Sequence, residues 1–237
     1  TMLLRLSTAF ESQKEFNSSA SHELRTPLAR MSFQLENLYH QNQLSEEVRQ
    51  VLRNISKETL HLSEVTDSLM LLSKFDSERL KMTYKEERID EIIFMAYEKV
   101  AKVFPDLQLD FSISGTEDPK LSIFCSAQLI EIAFVNLFKN AALYSDNREV
   151  KVTLIESAQE LKVLVSNTGP ALSTSDQKRI FDAFSRGENA SETTGSGLGL
   201  RIVQRIVQSH HATIEYQANK KHGKHTFVLL FKLQAPE

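Results

Sequence analysis

Residues 21–38 read SHELRTPLARMSFQLENL, and their apolar side chains recur every three or four positions. That period is typical of one face of an amphipathic helix, formed here by Leu24, Leu28, Met31, Leu35 and Leu38. A second stripe of the same kind predicts another helix between Val48 and Leu72, after a polar turn at residues 42–45. Because one hairpin of two such helices cannot enclose both apolar faces, the pattern predicts a homodimer built as a four-helix bundle.

From about residue 75 the pattern changes to short mixed elements. Alternating or continuous apolar runs predict strands, and longer periodic segments predict helices. The predicted strands are residues 80–85, 107–113, 121–125, 149–156, 161–166, 213–217 and 226–233, and the predicted helices are residues 89–104, 126–144 and 197–210. This mixture predicts one layer of sheet covered by helices.

Composition narrows the classes of protein. The 237 residues are 41% hydrophobic and 25% charged, which excludes a disordered or fibrous chain. A net charge of −3 gives no bulk positive charge for non-specific binding, so no nucleic-acid partner is expected. The single cysteine, Cys125, excludes a disulfide framework within the chain. No apolar run approaches the roughly 18 residues needed to cross a bilayer, and the first residue, Thr1, suggests a piece of a longer protein.

His22 and its neighbours form the first group that could carry chemistry. His22 lies on the side of the predicted helix away from the apolar stripe, so its imidazole is expected in solvent and mostly neutral, hence nucleophilic, at pH 7. Glu23 could orient the ring or accept its proton, and Thr26 shares the same face one turn later. Pro27 should bend the helix. Taken alone, these residues could equally be a surface histidine beside a kink.

Two further patterns could bind a nucleotide. Asn136 and Asn140 share one face of an otherwise apolar helix, and an amide oxygen can ligate Mg²⁺, although the pair could instead satisfy neighbouring backbone. Five of the seven glycines fall between Gly169 and Gly199, and four of these lie in a turn at residues 167–170 or at a helix start at residues 195–200. Glycines at a helix start let backbone amides approach a phosphate, although the Gly-Lys-Ser/Thr of a P-loop is missing. The polar residues 187–194 between them could form a mobile lid.

The order of these motifs resembles that of the bacterial sensor histidine kinases of two-component systems. Their phosphoacceptor box, N box, first glycine box, F box and second glycine box correspond here to residues 22–28, 136–140, 167–170, 181–186 and 195–200. The resemblance implies a helical hairpin for dimerisation and histidine phosphotransfer at residues 1–74. A hinge linker at residues 75–80 and a Bergerat-type ATP-binding α/β sandwich at residues 81–237, with a mixed sheet covered by helices, would follow.

The resemblance also implies an activity. His22 would attack the γ-phosphate of Mg-ATP and then pass the phosphoryl group to an aspartate in the receiver domain of a response regulator. Glu23 would be the acid/base partner, Thr26 would take part in a phosphatase activity towards that regulator, and Asn140 would ligate Mg²⁺. The residues implied to bind the nucleotide are Asn136, Lys139, Asn140, Tyr144, Asn167, Gly169, Phe184, Arg186, Gly195, Gly197, Leu198 and Gly199.

The same family implies a cytoplasmic location for this fragment. The full-length protein would be anchored in the bacterial inner membrane by a sensor region absent from the chain. At two places the chain departs from the family. Asn167 stands where an aspartate usually accepts a hydrogen bond from the adenine amino group, and an uncharged acceptor is expected to weaken ATP binding by roughly tenfold. His210 and His211 stand where glycine is usual, and we expect them at the surface rather than at a metal.

Three classes of function therefore stay open at this point. The first is an active kinase and phosphatase. The second is a nucleotide-binding signalling scaffold with weakened catalysis, which Asn167 favours. The third is another Bergerat-type ATPase, such as a chaperone or topoisomerase subunit, against which His22 in its motif argues.

Overall fold

The computed structural model describes residues 20, 23–39, 44–76, 83–115, 119–170, 172–186, 195–219 and 223–233. The chain divides into two compact units, one formed mainly by residues up to 81 and the other mainly by residues from 82 onward. Within the described residues, none of the helices combines the length and the apolar character that crossing a membrane requires.

The first unit contains the two long helices that the apolar stripes predict. Residues 23–39 are helical (α1), and the second helix is Glu46–Asp76 (α2). Ser45 begins α2, since its Oγ accepts a hydrogen bond from the backbone N–H of Val48 at 3.3 Å. Residues 40–43, which include the first half of the predicted turn, lie outside the described residues.

The hairpin leaves part of its apolar surface uncovered. Large apolar side chains seven residues apart are 42–53% exposed on both helices, at Leu24, Met31, Leu38, Val48, Ile55 and Leu62. Other positions of the stripes are covered, including Leu28 and Leu52. Two partly buried seams on one hairpin are what the sequence pattern predicts for helices that pack against a second pair.

The second unit is a helix-covered sheet with a small separate ribbon. Its strands are β1 (Lys85–Arg88), β2 (Gln108–Ser114), β3 (Ser122–Cys125), β4 (Glu149–Glu156), β5 (Glu160–Thr168), β6 (Thr213–Asn219) and β7 (Lys224–Lys232). Its helices are α3 (Ile89–Ala101), α4 (Ala127–Tyr144), α5 (Thr174–Arg179) and α6 (Gly199–Ser209). Strands β1 and β3 pair with each other, and the other five form a sheet in the order β2-β4-β5-β7-β6. Strands β2 and β4 run parallel and the remaining pairs antiparallel, which confirms the predicted mixed sheet.

One face of the five-stranded sheet packs against the helices. Alternate residues of the central strands are buried there, as the side-chain period of a strand requires, namely Val150, Val152, Leu154, Leu161, Val163, Val165, Phe227, Leu229 and Phe231. The α4 residues Phe134 and Phe138 are fully buried in the same unit. Continuing the alternation along β5 and β7 places Asn167 and His225 opposite each other on this face, at the end of the paired region.

Several element boundaries differ from the predicted ones. The helix predicted at residues 89–104 ends at Ala101, and the helix predicted at 197–210 begins at Gly199. Helix α5 was not predicted, because its six residues are almost all polar and show no apolar period. Helix α2 continues through the first two residues of the predicted linker, since Phe75 extends its apolar spacing, and residues 77–80 lie outside the described residues. The domain limits therefore stay a prediction.

Candidate functional site

The described part of the first motif presents its polar side chains to solvent. His22 itself lies outside the described residues. Glu23 and Thr26 are exposed on α1, and their spacing of three residues puts them on one face of the helix. Between them, Arg25 donates from Nε to Oδ1 of Asp67 on α2 at 3.0 Å, which fixes the face of α1 that packs against its neighbour. The residues next to His22 are therefore accessible to a macromolecular partner.

Asn136 on α4 is held by backbone and lies against the start of α6. Its Nδ2 donates to the carbonyl of Ile132 at 2.8 Å, which orients the amide. A Cβ atom added at Gly199 would lie only 2.8 Å from Oδ1 of Asn136. A larger residue at the first position of α6 would have to displace the Asn136 amide, and the contact joins the motif at residues 136–140 to the second glycine motif.

Asn140 lies one turn beyond Asn136 on the same helix. Its side chain is half-buried, and it makes no hydrogen bond within the part of the chain that the structure describes. Ser145, which directly follows α4, has a buried Oγ with no hydrogen-bond partner among the same residues. Buried polar groups are normally paired, so the Ser145 hydroxyl is suited to receive a polar group of a ligand, and the partly exposed Asn140 amide is open to one as well. Lys139 and Tyr144 are half-buried on the same helix.

Gly169 sits where the first glycine motif meets the end of α4. A Cβ atom there would lie 2.4 Å from the carbonyl oxygen of Tyr144, so no other residue fits without moving backbone. The N–H of Gly169 donates to the carbonyl of Gly223 at 2.8 Å, and its own carbonyl accepts a hydrogen bond from Nε2 of His225 at 3.2 Å. The glycine motif is therefore clamped between α4 and the segment that leads into β7.

Asn167 is the last residue of β5 on the helix-covered face of the sheet, and Gly169 follows two positions later. Its half-buried Nδ2 donates to the carbonyl of Thr168 over a long 3.4 Å, which leaves the amide oxygen as an acceptor for a ligand. Asn167 and Gly169 are thus neighbours at one edge of the unit, with α4 beside them through Tyr144. The predicted adenine contact is chemically available here, but it carries no charge.

The second glycine motif leads into α6 through a tight bend. Gly197 has a φ of +68°, a left-handed conformation that glycine adopts without strain. Ser196 accepts a hydrogen bond at Oγ from the N–H of the buried Leu198 at 3.3 Å. Gly195 is half-buried just before the bend. The first N–H groups of α6 have no partner within their own helix, which suits them to an anion.

The remaining predicted binding residues lie apart from these contacts. Phe184 has a φ of +61° and is 61% exposed, a strained conformation for an aromatic residue. Phe181 instead points inward and meets the Phe227 ring edge-on, with 6.5 Å between centroids. Arg186 is exposed at the end of the motif, and the lid residues 187–194 lie outside the described residues. Contacts between described residues thus join Asn136 to Gly199, but not Phe184 to either.

Sequence reasoning missed the environments of two histidines, one buried and one half-buried. His225 is buried on the helix-covered face of the sheet. It was missed because the predicted strand began at Thr226, whereas β7 begins at Lys224. His210, which we expected at the surface, is half-buried, whereas His211 is exposed as expected. The Nδ1 of His210 donates to the carbonyl of Ile206 at 2.7 Å, and its Nε2 accepts from the N–H of Ser126 at 3.0 Å. The ring therefore binds the residue directly before α4. Burial lowers the pKa of His210, which favours this neutral form.

Comparisons with known proteins agree with this geometry. A family model described as "His Kinase A (phospho-acceptor) domain" matches residues 12–78. A second, described as "Histidine kinase-, DNA gyrase B-, and HSP90-like ATPase", matches residues 126–235. The two matches divide the chain in the way that its motifs do.

Similar proteins include sensor proteins of several bacteria. The heme sensor protein HssS of Staphylococcus saprophyticus is 30% identical over 98% of this chain and 49% of its own length. The sensor-like histidine kinase SenX3 of Mycobacterium tuberculosis is 28% identical over 92% of this chain and 53% of its own. The chain thus spans about half the length of the curated relatives it matches. Full-length ShkA, solved in complex with AMPPNP, shares the fold with a TM-score of 0.73 at 20% identity, over 94% of this chain and 47% of that one.

Proposed function

The chain belongs to the two-component sensor histidine kinases, and from that premise we propose that it uses ATP to phosphorylate its own His22 and then passes the phosphoryl group to an aspartate of a response regulator. The observation that carries the proposal is the packing of Asn136 against Gly199. It joins a helix with two polar amides to a helix start that suits phosphate, which is a combination that can bind Mg-ATP.

The residues around this contact fit Mg-ATP. Asn140 offers an unpaired amide oxygen, the kind of ligand that Mg²⁺ accepts, and Ser145 offers a buried hydroxyl. We assign Asn140 to the metal and Asn136 to the adjacent phosphates. Mg²⁺ neutralises phosphate charge when bound. The bend at Gly197 and the amides that follow it would hold the phosphate chain.

The base side of the nucleotide would lie at Asn167 and Gly169. The Asn167 amide oxygen would accept a hydrogen bond from the adenine amino group, and Gly169 would let the base approach backbone. Lys139, Tyr144, Phe184 and Leu198 complete the proposed set together with Gly195, Gly199 and Arg186.

The phosphoryl step needs alignment more than covalent help from the protein. A ring nitrogen of His22 attacks the γ-phosphorus as the bond to the β-phosphate oxygen breaks, and ADP leaves. Glu23, next in sequence and exposed, takes the ring proton. The phosphohistidine then gives its phosphoryl group to a carboxylate of the regulator, and the phosphorus–nitrogen bond breaks.

We further propose that the same helix, α1, takes part in dephosphorylating the response regulator. Thr26 lies exposed on the Glu23 face, where its hydroxyl could orient a water towards the phosphoaspartate of a bound regulator.

A second copy of the chain would cover the exposed apolar seams of the hairpin and complete the four-helix bundle. The hairpin domain would comprise residues 1–74, the hinge 75–80 and the ATP-binding domain 81–237, with the whole protein anchored in the inner membrane by a region outside the chain.

A second candidate function is a nucleotide-binding scaffold with weakened catalysis. The uncharged Asn167 favours it, because a neutral hydrogen bond contributes about 0.5–1.5 kcal/mol against about 1.5–3 for a charged one. That difference weakens ATP binding without abolishing it.

One experiment separates the candidates. The chain and its His22→Gln variant are incubated with Mg²⁺ and ATP labelled at the γ-phosphate, and protein-bound label and released phosphate are followed. Acid-labile, alkali-stable label that His22→Gln abolishes is the outcome expected of the kinase. Nucleotide binding without any label would instead support the scaffold. Steady phosphate release that survives the substitution would indicate an ATPase and contradict the proposal.

A further inference from the structure

We propose that His225, supported by Tyr216, is a positioning residue of the nucleotide site that fixes the carbonyl of Gly169 and thereby sets the affinity for adenine nucleotides. The inference rests on the proposed ATP-binding function and adds a determinant that lies outside all five motifs. Tyr216 belongs to the edge strand β6 and His225 to its neighbour β7, rather than to the glycine-rich segments.

The imidazole of His225 uses both of its nitrogens. Nε2 lies 3.2 Å from the carbonyl oxygen of Gly169, which can only accept, so Nε2 carries the proton. Nδ1 is therefore an acceptor, and the Tyr216 hydroxyl donates to it at 2.5 Å. The two rings stack with centroids 6.0 Å apart. This chain of hydrogen bonds specifies one tautomer and one orientation of the buried imidazole.

Tyr216 is suited to remain the donor in this chain. Burial raises the pKa of Tyr216 to about 12, so its hydroxyl keeps its proton at neutral pH. Its ring also packs against Phe227, with 5.4 Å between centroids. The phenol therefore holds His225 from the side opposite to Gly169, and the pair acts as one unit.

Gly169 leaves little tolerance for a different backbone orientation. Its α-carbon lies so close to Tyr144 that an added Cβ would be 2.4 Å from the carbonyl oxygen of that residue. Its N–H is bound to Gly223, and a Cβ at Gly223 would come within 3.1 Å of the Gly169 carbonyl. Among the described residues, His225 supplies the one side chain that binds this carbonyl. Its loss would release the peptide to rotate against α4.

The adenine acceptor is coupled to the same short segment. Asn167 is the cross-strand partner of His225, on the same face of the sheet. The amide nitrogen of Asn167 has only the long bond to Thr168, and it lies 3.7 Å from the position of a Cβ at Gly169. Because its own side chain is weakly held, the position of Asn167 depends on the backbone of residues 167–169. His225 restrains that backbone.

A histidine is a costly residue for this position unless it has a task. Its neighbours along the core face of β7, Phe227 and Leu229, are apolar and fully buried. A buried polar side chain that lacks partners destabilises a fold, whereas one with both partners orders its surroundings. The question is whether that order serves the fold alone or also the ligand.

The test compares His225→Phe and Tyr216→Phe with a matched control in the same strand pair. Thr226→Val removes the 3.0 Å hydrogen bond between Thr226 and Ser166, one residue along β7 and on the opposite face of the sheet. The readouts are the melting temperature, the dissociation constant for ATP, and the KM and kcat of autophosphorylation. His225→Gln is the rescue variant, because its amide N–H can still donate to the Gly169 carbonyl.

We expect His225→Phe to raise the KM and the dissociation constant for ATP by about five- to tenfold, which is roughly 1–1.4 kcal/mol. The kcat at saturating ATP should change less than twofold. Tyr216→Phe should raise both constants by about two- to threefold, or roughly 0.5 kcal/mol, and His225→Gln should recover most of the affinity. Thr226→Val should lower the melting temperature without changing the KM.

The opposite pattern overturns the inference. If His225→Phe or Tyr216→Phe lowers the melting temperature as Thr226→Val does, and ATP affinity stays unchanged, the two residues serve only the fold. If His225→Phe fails to fold, Tyr216→Phe and His225→Gln decide by the same criterion. Wild-type protein that binds no ATP at all would overturn the proposed function, and this separates that failure from failure of the positioning role alone.

Discussion

In the hairpin, Glu23 and Thr26 project from α1 into solvent, whereas in the α/β unit Asn136, Asn140 and Asn167 are half-buried. The two regions carry two halves of one proposed reaction, yet they hold their side chains by different means. The hairpin residues need only a helix that presents them. The nucleotide residues need close approaches of backbone, such as the one between Gly169 and Tyr144.

The difference shows where each region is sensitive. An exposed side chain on a helix can be replaced with little effect on folding, so substitutions in the hairpin should separate chemistry from stability. A glycine pressed against backbone cannot be replaced without moving an element. Substitutions in the nucleotide site should therefore change affinity and stability together, and five predictions test this contrast.

The largest effect is expected from Gly169→Ala. The new methyl group would meet the carbonyl oxygen of Tyr144, which is backbone and cannot turn away. Overpacking of this kind costs about 1–3 kcal/mol, which corresponds to a loss of ATP affinity of up to about a hundredfold. Calorimetric titration with ATP and a thermal melt measure both consequences.

Gly199→Ala is the comparison for that variant. Its methyl group would meet the side-chain oxygen of Asn136, which can shift with its amide. We expect a loss of about tenfold, or roughly 1.4 kcal/mol, with a smaller change in melting temperature. Equal losses of ATP affinity in Gly169→Ala and Gly199→Ala would show that a backbone neighbour and a side-chain neighbour tolerate the added methyl group equally poorly. That result would contradict the contrast.

Thr26→Ala tests the exposed side of the comparison. The hydroxyl is on the solvent face of α1, so its removal should leave the melting temperature and autophosphorylation intact. Dephosphorylation of the phosphorylated regulator should slow by at least tenfold, about 1.4 kcal/mol of lost transition-state stabilisation. The rate is followed as loss of label from the regulator.

Two variants control for nonspecific effects on α1. Thr26→Ser keeps a hydroxyl and should retain most of the phosphatase rate. Ser32→Ala removes an exposed hydroxyl from another face of the same helix and should change nothing. A phosphatase rate unaffected by Thr26→Ala would remove this residue from the proposed machinery.

A gain of function is expected from Asn167→Asp. The carboxylate would give the adenine amino group a charged acceptor, so ATP affinity should rise by about tenfold on the difference between charged and neutral hydrogen bonds. Titration of wild type and variant with ATP measures the change. The exposed Asn37→Asp on α1 alters the net charge equally and should leave affinity unchanged. An unaltered dissociation constant in Asn167→Asp would refute the assigned adenine contact.

Regular patterns made much of the α/β unit predictable from sequence. The alternation in residues 149–156 gave β4 its observed ends, and the uninterrupted apolar helix pattern placed the end of α4 at Tyr144. Helix α5 has six mostly polar residues and begins through Ser173, whose Oγ accepts from the N–H of Asp176 at 3.1 Å. A helix that short carries no apolar period, so local pattern could not reveal it.

The contacts that shape the site were beyond sequence reasoning for a different reason. Gly169 and Tyr144 are 25 positions apart, and their approach depends on how α4 packs on the sheet. His225 fell outside the predicted strand and His210 at the end of a predicted helix, whereas each is ordered by a partner far away in the chain. Motifs predict which residues meet the ligand, and only the folded chain shows which residues hold them.

The smallest predicted effect concerns His210, which directly follows α6 and binds Ser126, the residue directly before α4. Its neutral ring accepts from Ser126 through Nε2, and protonation would break that bond. Burial lowers its pKa in the folded state below the ordinary value of about 6.5. The unfolded chain therefore binds the proton more readily, so the stabilisation is present above pH of about 6.5 and is lost as the pH falls from there through the lowered folded pKa.

Melting curves between pH of about 8 and 5 measure this loss. Each kcal/mol of lost stability lowers the melting temperature by roughly 2–4 °C in a chain of this size. His210→Gln should be less stable than wild type at neutral pH and should flatten the decline below about 6.5. The exposed His211 is the matched control, and His211→Asn, which tolerates the left-handed φ of +53° there, should keep most of the decline. If both variants retain the full decline, groups other than His210 cause it, and protonation of His210 does not limit the stability of the α/β unit.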